Sequence, residues 1–236
     1  MEEIYINKAP TSKRGLYEGI MVKIKICGNT NEEDALFASI KGADYLGFII
    51  EVKSSADSIS REKAMGLIKR LPLEVESVYV TTETNQKKIV EIAKYVNPAC
   101  IQLHGSVSIP AVLKIRKELP RAKLIKTIPV HDESAVPEAK KFAPYVDFLL
   151  LDSRVKGKAG GTGITHDWSI SAKIVKGVDK KVFLAGGLTP QNVKDAIKRV
   201  KPYAVDVNSG VKKAPEKRSS RKSRKDQIKI ESFIRG

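Results

Sequence analysis

Short apolar runs alternate with amphipathic segments along most of this chain. The first clear run, over 22–28, places apolar residues at every second position, which is typical of a strand. A helical pattern follows through about Ile40, with a cap expected at Thr30 or Asn31. Acids fill its first turn, where the helix dipole favours negative charge. The same change from strand to helix pattern recurs to the end of the sequence.

Eight strand–helix units are predicted in this way. The strands are expected over 22–28, 45–50, 75–80, 99–103, 123–128, 147–151, 182–185 and 204–207. The helices are expected over about 31–40, 60–71, 86–95, 109–118, 134–142, 168–175, 191–200 and 227–234. Because alternation of strands and helices produces a parallel sheet, the chain is expected to be an α/β protein.

The positions of the glycines decide between a closed barrel and an open, doubly wound sheet. In the open sheet the glycine-rich phosphate loop would follow the first strand, which here ends in Cys27-Gly28. The glycines cluster instead after the last three strands, at Gly160-Gly161, Gly186-Gly187 and Gly210. Closed barrels commonly bind phosphate with the loops after strands seven and eight. We therefore predict a (β/α)8 TIM barrel.

The barrel is expected to be a single domain over 21–236, preceded by an N-terminal extension over 1–20 that has no clear period. Lys and Arg number 43 against 27 Asp and Glu, which gives a formal net charge of +16 and favours anionic partners. A basic loop is expected at about 212–225. Neither a disulfide framework nor a signal peptide or membrane span is indicated, so we expect a cytoplasmic protein without membrane contact.

Several strands end in residues that carry chemistry. Asp152 ends an apolar run, and a carboxylate there is not explained by packing because an ionised group is costly to bury. The loop 160–163 offers bare backbone amides to an anion. Cys27 and His104 also end strands, although a single Cys or His in such a place is often structural. Only the joint placement of these groups on one face indicates a sugar-phosphate site.

Motifs in register along 21–235 resemble the phosphoribosylanthranilate isomerases. They are Lys25-Ile26-Cys27-Gly28-Asn29-Thr30, Gly42-Ala43-Asp44-Tyr45-Leu46-Gly47-Phe48, Gln102-Leu103-His104-Gly105, Leu150-Leu151-Asp152, Gly160-Gly161-Thr162-Gly163, Asp167-Trp168, Leu184-Ala185-Gly186-Gly187-Leu188 and Asp206-Val207-Asn208-Ser209-Gly210-Val211. The resemblance implies an aldose–ketose isomerase of tryptophan biosynthesis that needs no metal or cofactor. Its reaction is an Amadori rearrangement of N-(5-phosphoribosyl)anthranilate to 1-(2-carboxyphenylamino)-1-deoxyribulose 5-phosphate.

The resemblance also implies roles for particular residues. Asp152 falls on the general acid that protonates the ribose ring oxygen, and Cys27 on the general base that takes the C2 proton. Desolvation of an Asp and positive surroundings for a Cys would suit these roles. Lys23 and Lys25 lie near Cys27 in sequence, but their alternation with apolar residues is expected to turn them outward. Phosphate is expected at Gly161, Gly163, Gly186, Gly187, Ser209 and Gly210, with further substrate contacts from Gln102, His104, Asp206 and Arg61.

Two positions depart from the family pattern. The family usually carries an arginine after the second strand that pairs with the anthranilate carboxylate, and Asp57 stands near that place here. After the eighth strand the family tends to have Ser-Ser-Gly-Val-Glu, whereas Lys212 follows Val211 in this chain. The replacement cation is expected among Lys53, Arg61 and Arg154. Asp57→Arg is expected to improve binding, by restoring a cation and removing a repelling acid.

Two further hypotheses stay open at this point. The missing arginine favours a related phosphosugar isomerase or epimerase that takes a substrate without the carboxylate. The basic loop favours an added nucleic-acid-binding role. Because the loop lacks aromatic residues for stacking on bases, it would contact the phosphate backbone only. A run of like charges is also typical of a solvated, disordered loop with no partner.

Overall fold

The computed structural model describes residues 16–17, 20–153, 167–213 and 224–235. These residues form eight parallel strands that close into a barrel, each followed by a helix. The strands are β1 (Lys23–Ile26), β2 (Tyr45–Ile49), β3 (Glu76–Thr81), β4 (Cys100–Leu103), β5 (Lys123–Pro129), β6 (Phe148–Asp152), β7 (Lys181–Leu184) and β8 (Ala204–Val207). The helices are α1 (Glu32–Lys41), α2 (Arg61–Ile68), α3 (Gln86–Val96), α4 (Ile109–Glu118), α5 (Ala135–Phe142), α6 (Trp168–Gly177), α7 (Val193–Val200) and α8 (Gln227–Arg235). The predicted (β/α)8 barrel is confirmed.

The barrel closes through its last strand. Ala204 of β8 pairs with Lys23 of β1 on one side and with Phe183 of β7 on the other. Before β1, a short antiparallel pair joins Leu16–Tyr17 to Ile20–Met21. Most of the predicted extension lies outside the described residues, so that boundary stays a prediction. In the part of the chain that is described, no helix is long and apolar enough to cross a membrane.

Each strand buries both faces, because one face meets the helices and the other fills the barrel. In β1, Ile24 and Ile26 pack into the main core under the helices. Lys25 lies inside the barrel with no exposed surface, so the prediction that it faces outward is wrong. The two faces of β1 alternate as predicted, but its apolar face packs against the helices and its lysine face points into the barrel. Lys23, at the amino end of β1, is about half exposed and pairs with Asp44 at 2.7 Å.

Aromatic rings close the amino end of the barrel. Phe183 makes edge-to-face contacts with Tyr45, Phe148 and Tyr203, at centroid distances between 5.1 and 5.7 Å. The hydroxyls of Tyr45 and Tyr203 lie 3.0 Å apart, so these two hydroxyls are hydrogen-bonded to each other. With apolar and aromatic side chains filling this end, the inward polar residues are left to the carboxyl end of the strands. That end is where the chemistry of such barrels takes place.

Candidate active site

Cys27 sits at the mouth of the barrel, directly after β1. Its backbone N–H donates to the carbonyl of Val207 at 2.8 Å, and its side chain is buried among the inward residues. Gly47 of β2 lies beside the thiol, and a Cβ at that position would stand 2.7 Å from Cys27 Sγ. Since no side chain fits there, Gly47 is the residue that leaves room for the thiol.

The position of Lys25 one inward step below Cys27 gives the site its charge. Lys25 Nζ donates to Asp206 Oδ2 at 2.8 Å, and both side chains are buried. Burial lowers the pKa of Lys25, but Asp206, and Cys27 after it, raise that pKa above the ordinary value on balance. Lys25 is therefore a cation at neutral pH and lies within reach of the thiol.

The Cys27 thiol feels opposing influences. Burial raises its pKa most strongly; Lys25 lowers it, Asp206 raises it, and Lys225 lowers it. On balance the pKa of Cys27 stands above the ordinary value, so the thiol is protonated at neutral pH. The positive surroundings expected from the sequence are present, but they do not outweigh desolvation.

Lys225 is a site residue that the sequence did not single out. It is buried, and its Nζ donates to Cys27 O at 2.5 Å, to Asn208 O at 3.1 Å and to Asn208 Oδ1 at 2.8 Å. Its backbone N–H donates to Asp34 Oδ2 at 3.0 Å, in the first turn of α1. Burial lowers its pKa to about 8. Lys225 thus joins the loops after β1 and β8 directly behind the thiol.

Sequence offers only an indirect signal for Lys225. It is one of many basic residues in the predicted basic loop, and no local pattern separates it from the others. The next residue, Asp226, caps α8 by accepting from the backbone N–H of Ile228 at 3.0 Å. A capping residue marks a fixed backbone position, but it does not reveal what the residue before it contacts.

Asp152 lies on a different part of the barrel rim, at the end of β6. It is in phase with the inward residues Phe148 and Leu150, so its partly exposed side chain faces the mouth. Asp152 Oδ2 lies 3.7 Å from His104 Nε2. His104 Nδ1 in turn lies 3.3 Å from Gln102 Nε2. The predicted residues of β4 and β6 are therefore brought together as one polar group.

A cavity of about 610 Å³ opens onto this group. His104, Thr127 and Asp152 line its barrel side, and the loop before α4, the first residues of α4 and the helix α5 line the other. The volume lies within the range usual for small-molecule sites. Its lining includes Asp152 but neither Cys27 nor the glycines after β7 and β8, so the cavity borders the Asp152 side of the predicted site and not the whole of it.

The glycines after β7 and β8 form close contacts that no side chain would allow. Gly186 and Gly187 have φ values of +87° and +66°, a region that favours glycine. A Cβ on Gly186 would lie 2.3 Å from the Ser153 backbone nitrogen, and one on Gly210 would lie 2.0 Å from Leu188 O. The turns depend on glycine at these positions.

These turns leave backbone amides available. Among the backbone hydrogen bonds of the described residues, none has Gly186, Gly187, Ser209 or Gly210 as its N–H donor. Asn192 holds the first turn in place: it accepts from Thr189 N at 2.8 Å and donates to Gly187 O at 2.9 Å. Unused amides in a fixed turn can bind an anion. The predicted Gly161 and Gly163 lie outside the described residues.

Asp57 is not the repelling acid expected from the sequence. It is buried, and its Oδ2 accepts from Lys212 Nζ at 2.5 Å and from Asn208 Nδ2 at 3.0 Å. The premise of the Asp57→Arg prediction is therefore corrected, because the carboxylate is already neutralised by a cation and an amide. A guanidinium in its place would meet Lys212 with like charge.

The expected replacement cations differ in their surroundings. Arg61 donates to Glu51 Oε1 at 2.6 Å through Nε and to Glu91 Oε1 at 2.6 Å through Nη1. Lys53 is exposed in the loop after β2. Arg154 lies outside the described residues. Arg61, the residue favoured from sequence, thus already has two carboxylate partners.

Buried polar atoms without a partner mark the barrel mouth. Within the described ranges these include Gln102 Oε1, Asp57 Oδ1 and Asp206 Oδ1. An unsatisfied buried acceptor costs about 1 to 3 kcal/mol, so native proteins usually satisfy such atoms with water or a ligand. Tyr79 Oη and Trp168 Nε1 are also without a partner and lie with the helix-side core, so the three acceptors at the mouth support a polar site only together with the other observations.

Known proteins share this sequence and this architecture. A sequence model of the family described as N-(5'phosphoribosyl)anthranilate (PRA) isomerase matches residues 24–235. An N-(5'-phosphoribosyl)anthranilate isomerase of Methanocella arvoryzae is 37% identical over 212 residues, which cover 89% of this chain and 99% of the relative.

Solved structures give the same result. A crystal structure of phosphoribosyl anthranilate isomerase from Thermotoga maritima has a TM-score of 0.78 and 36% identity, covering 91% of this chain and 97% of that one. A second structure of such an enzyme, in complex with reduced 1-(o-carboxyphenylamino)-1-deoxyribulose 5-phosphate, has a TM-score of 0.75 and 35% identity with the same coverage. The likeness thus extends over the whole barrel.

Proposed function

The chain belongs to the N-(5'-phosphoribosyl)anthranilate isomerase family, and from that membership we propose that Cys27 and Asp152 are the base and the acid of its reaction. The activity is the isomerisation of N-(5'-phosphoribosyl)anthranilate in tryptophan biosynthesis, an Amadori rearrangement. One observation carries the proposal. Both side chains occupy inward positions at the carboxyl end of the barrel, on the well-separated strands β1 and β6, so a ribose between them would meet one group on each side.

Asp152 opens the ribose ring. Its carboxylic acid donates a proton to the ring oxygen, the bond between that oxygen and C1 breaks, and the nitrogen lone pair forms a C1=N bond. Asp152 is partly exposed at the rim and faces the cavity. A group in this position can reach the substrate oxygen and be reprotonated between turnovers.

Cys27 then takes the proton from C2. The C2–H electron pair moves towards the iminium nitrogen and leaves an enolamine, which becomes the ketone when C2–OH loses its proton and C1 gains one. Burial keeps the thiol protonated beforehand. The iminium adds positive charge beside it, and an opposite charge lowers a thiol pKa. Ring opening therefore favours loss of the thiol proton to water, and the resulting thiolate takes the C2 proton and becomes a thiol again.

The substrate phosphate is held by the turns after β7 and β8. Support comes from the amides of Gly186, Gly187, Ser209 and Gly210, which donate to no backbone carbonyl among the described residues and suit a small phosphosugar. The contributions of Gly161 and Gly163 stay predictions. The nucleic-acid-binding role also stays a prediction, because 214–223 of the basic loop lie outside the described residues.

The activity is tested by incubating the purified protein with freshly prepared phosphoribosylanthranilate and following the loss of its fluorescence. We expect turnover, with competitive inhibition by inorganic phosphate because phosphate would occupy the same amides. The reduced product analogue should also inhibit competitively. Absence of turnover, together with isomerisation of a phosphosugar that lacks the anthranilate group, would support the alternative enzyme instead.

A further inference from the structure

The substrate carries an aromatic carboxylate that the residues assigned so far do not bind. An unpaired anion is penalised in a site shielded from water, so a cation is required next to it. Two described cations line the cavity beside Asp152: Lys126, which is buried and donates to Gly105 O and Thr127 O, and Lys141, which is exposed. On the Cys27 side of the mouth the candidates are Lys25, Lys225, Arg61, Lys53 and Lys212. Which of them can serve depends on its exposure and on the partners that it already has.

The two deepest lysines are already committed. Lys25 has no exposed side-chain surface and pairs with Asp206. Lys225 Nζ donates to Cys27 O and to two oxygens of Asn208, which accounts for its three N–H groups. Each of them stabilises the interior next to the thiol, and neither presents a free N–H to the cavity mouth.

Arg61 and Lys53 are poorly suited for different reasons. Arg61 has its guanidinium bonded to Glu51 on one edge and to Glu91 on another. A carboxylate ligand would have to approach a cation that two carboxylates already neutralise. Lys53 is exposed to water, where an ion pair contributes little.

Lys212 differs from all four. Its side chain is 20% exposed, whereas that of its partner Asp57 is 4% exposed. Its ammonium donates to Asp57 Oδ2, and within the described residues Lys212 Nζ has no other acceptor. A lysine ammonium has three donors. Lys212 is therefore a partly open cation, held in place by a buried carboxylate and with donors to spare.

A continuous set of contacts places Lys212 next to the base. Asp57 is bonded to Asn208 at 3.0 Å, and Asn208 is bonded to Lys225 at 2.8 Å. Lys225 is bonded to the carbonyl of Cys27. The loops after β1, β2 and β8 thus meet around one network. In the substrate, the carboxylate stands only a few bonds from C2, where the base acts.

We propose that Lys212 binds the anthranilate carboxylate and that Asp57 positions it, an inference that rests on the proposed function. The two departures from the family pattern are then a single change. The pattern has a cation near position 57 and an acid at position 212, and this chain has Asp57 and Lys212 with the charges exchanged. In this chain the two residues pair directly, and the cation comes from the loop after β8 instead of the loop after β2. A lysine binds as a point charge, without the bidentate fork of an arginine.

The test compares two ligands that differ by one group. They are the reduced product analogue, 1-(o-carboxyphenylamino)-1-deoxyribulose 5-phosphate after reduction, and the same compound without the ring carboxylate. We expect the wild type to bind the carboxylated compound roughly 10- to 100-fold more tightly by calorimetry. Lys212→Met should reduce that preference to within about threefold. Its affinity for the other compound and for inorganic phosphate should stay within about twofold.

Lys213→Met is the matched control, since it removes the same charge from the neighbouring, exposed side chain. It should leave the preference unchanged. A full preference in the Lys212→Met protein, with the fold intact by circular dichroism, would overturn the inference. Failure of the proposed function gives a different result, because the wild type would then show no preference and phosphate would not compete with either compound.

An exchange of charges gives a second, independent readout. Asp57→Arg and Lys212→Glu should each weaken binding of the carboxylated compound, because each leaves two like charges in contact. The double variant Asp57→Arg/Lys212→Glu should recover binding to within about threefold of the wild type or better, since the ion pair is restored. A double variant no better than its worse parent, although folded, would contradict the role of the pair.

Discussion

At the scale of single residues, the pKa of the Cys27 thiol depends on its burial, on two cations and on one carboxylate. Lys25 and Lys225 favour the thiolate, while burial and Asp206 oppose it. In the proposed mechanism the thiol therefore stays protonated in the free enzyme and loses its proton once the iminium forms. This arrangement makes the pH dependence of the reaction sensitive to Asp206, which does not touch the reacting carbon in the proposed mechanism.

Asp206→Asn should move the ascending limb of kcat/KM to lower pH. Asp206 raises the pKa of Cys27. Once that negative charge is removed, its repulsion of the thiolate is lost, the pKa of the thiol falls, and more thiolate is present at a given pH. The measurement is a pH–rate profile of both proteins, with Glu118→Gln as the control because Glu118 is an exposed acid paired with Lys94. A limb that stays in place or moves to higher pH would remove Asp206 from this role.

Residues at strand ends could be predicted from the sequence, while their partners could not. Cys27 and Asp152 stand out because each follows an apolar run, a local feature. Lys225 contacts Cys27 across 198 positions, and Lys212 contacts Asp57 across 155. Hydrophobic periodicity reports which face of an element is buried, but it carries no information on such long-range pairs. From the sequence, Asp57 and Lys212 therefore looked like two separate departures from the family pattern, although they form one ion pair.

At the scale of elements, the alternation of strands and helices predicted every unit of the barrel. Strands with two buried faces give short apolar runs, and capped helices give clear starts; Asn31 accepts from Asp34 N at 2.9 Å as expected. The orientation of β1 was predicted wrongly, because Lys25 faces into the barrel. Polar residues are tolerated inside a barrel when they pair there, as Lys25 does with Asp206. The sequence of one strand does not show whether the residue that pairs with its lysine lies inside or outside the barrel.

The turn after β7 offers a direct test of phosphate binding. Gly187→Val should raise KM and the inhibition constant of inorganic phosphate about tenfold or more, because a β-branched residue is strained at φ +66° and would crowd the anion. Gly66→Val is the control, since Gly66 lies in α2 with nothing within 4 Å of its added Cβ. Steady-state kinetics with phosphate as inhibitor gives both constants. Unchanged values in folded Gly187→Val protein would place the phosphate elsewhere.

At the scale of the whole molecule, the two ends of the barrel have different tasks. The amino end is closed by the aromatic rings of Tyr45, Phe148, Phe183 and Tyr203. The carboxyl end carries buried ion pairs, unused amides and the cavity. A net charge of +16 favours approach of a substrate that carries a phosphate and a carboxylate.

The two cysteines allow the central claim to be tested within one molecule. Cys27 stands at the active end, while Cys100 is buried at the amino end with its Sγ 3.4 Å from Glu76. Cys27→Ala and Asp152→Asn should each lower kcat about 100-fold or more, as expected for loss of a general base or acid, with little change in KM. Cys100→Ala should keep kcat near the wild-type value. If folded Cys27→Ala or Asp152→Asn protein isomerises phosphoribosylanthranilate at close to the wild-type kcat, the assignment of that residue is wrong.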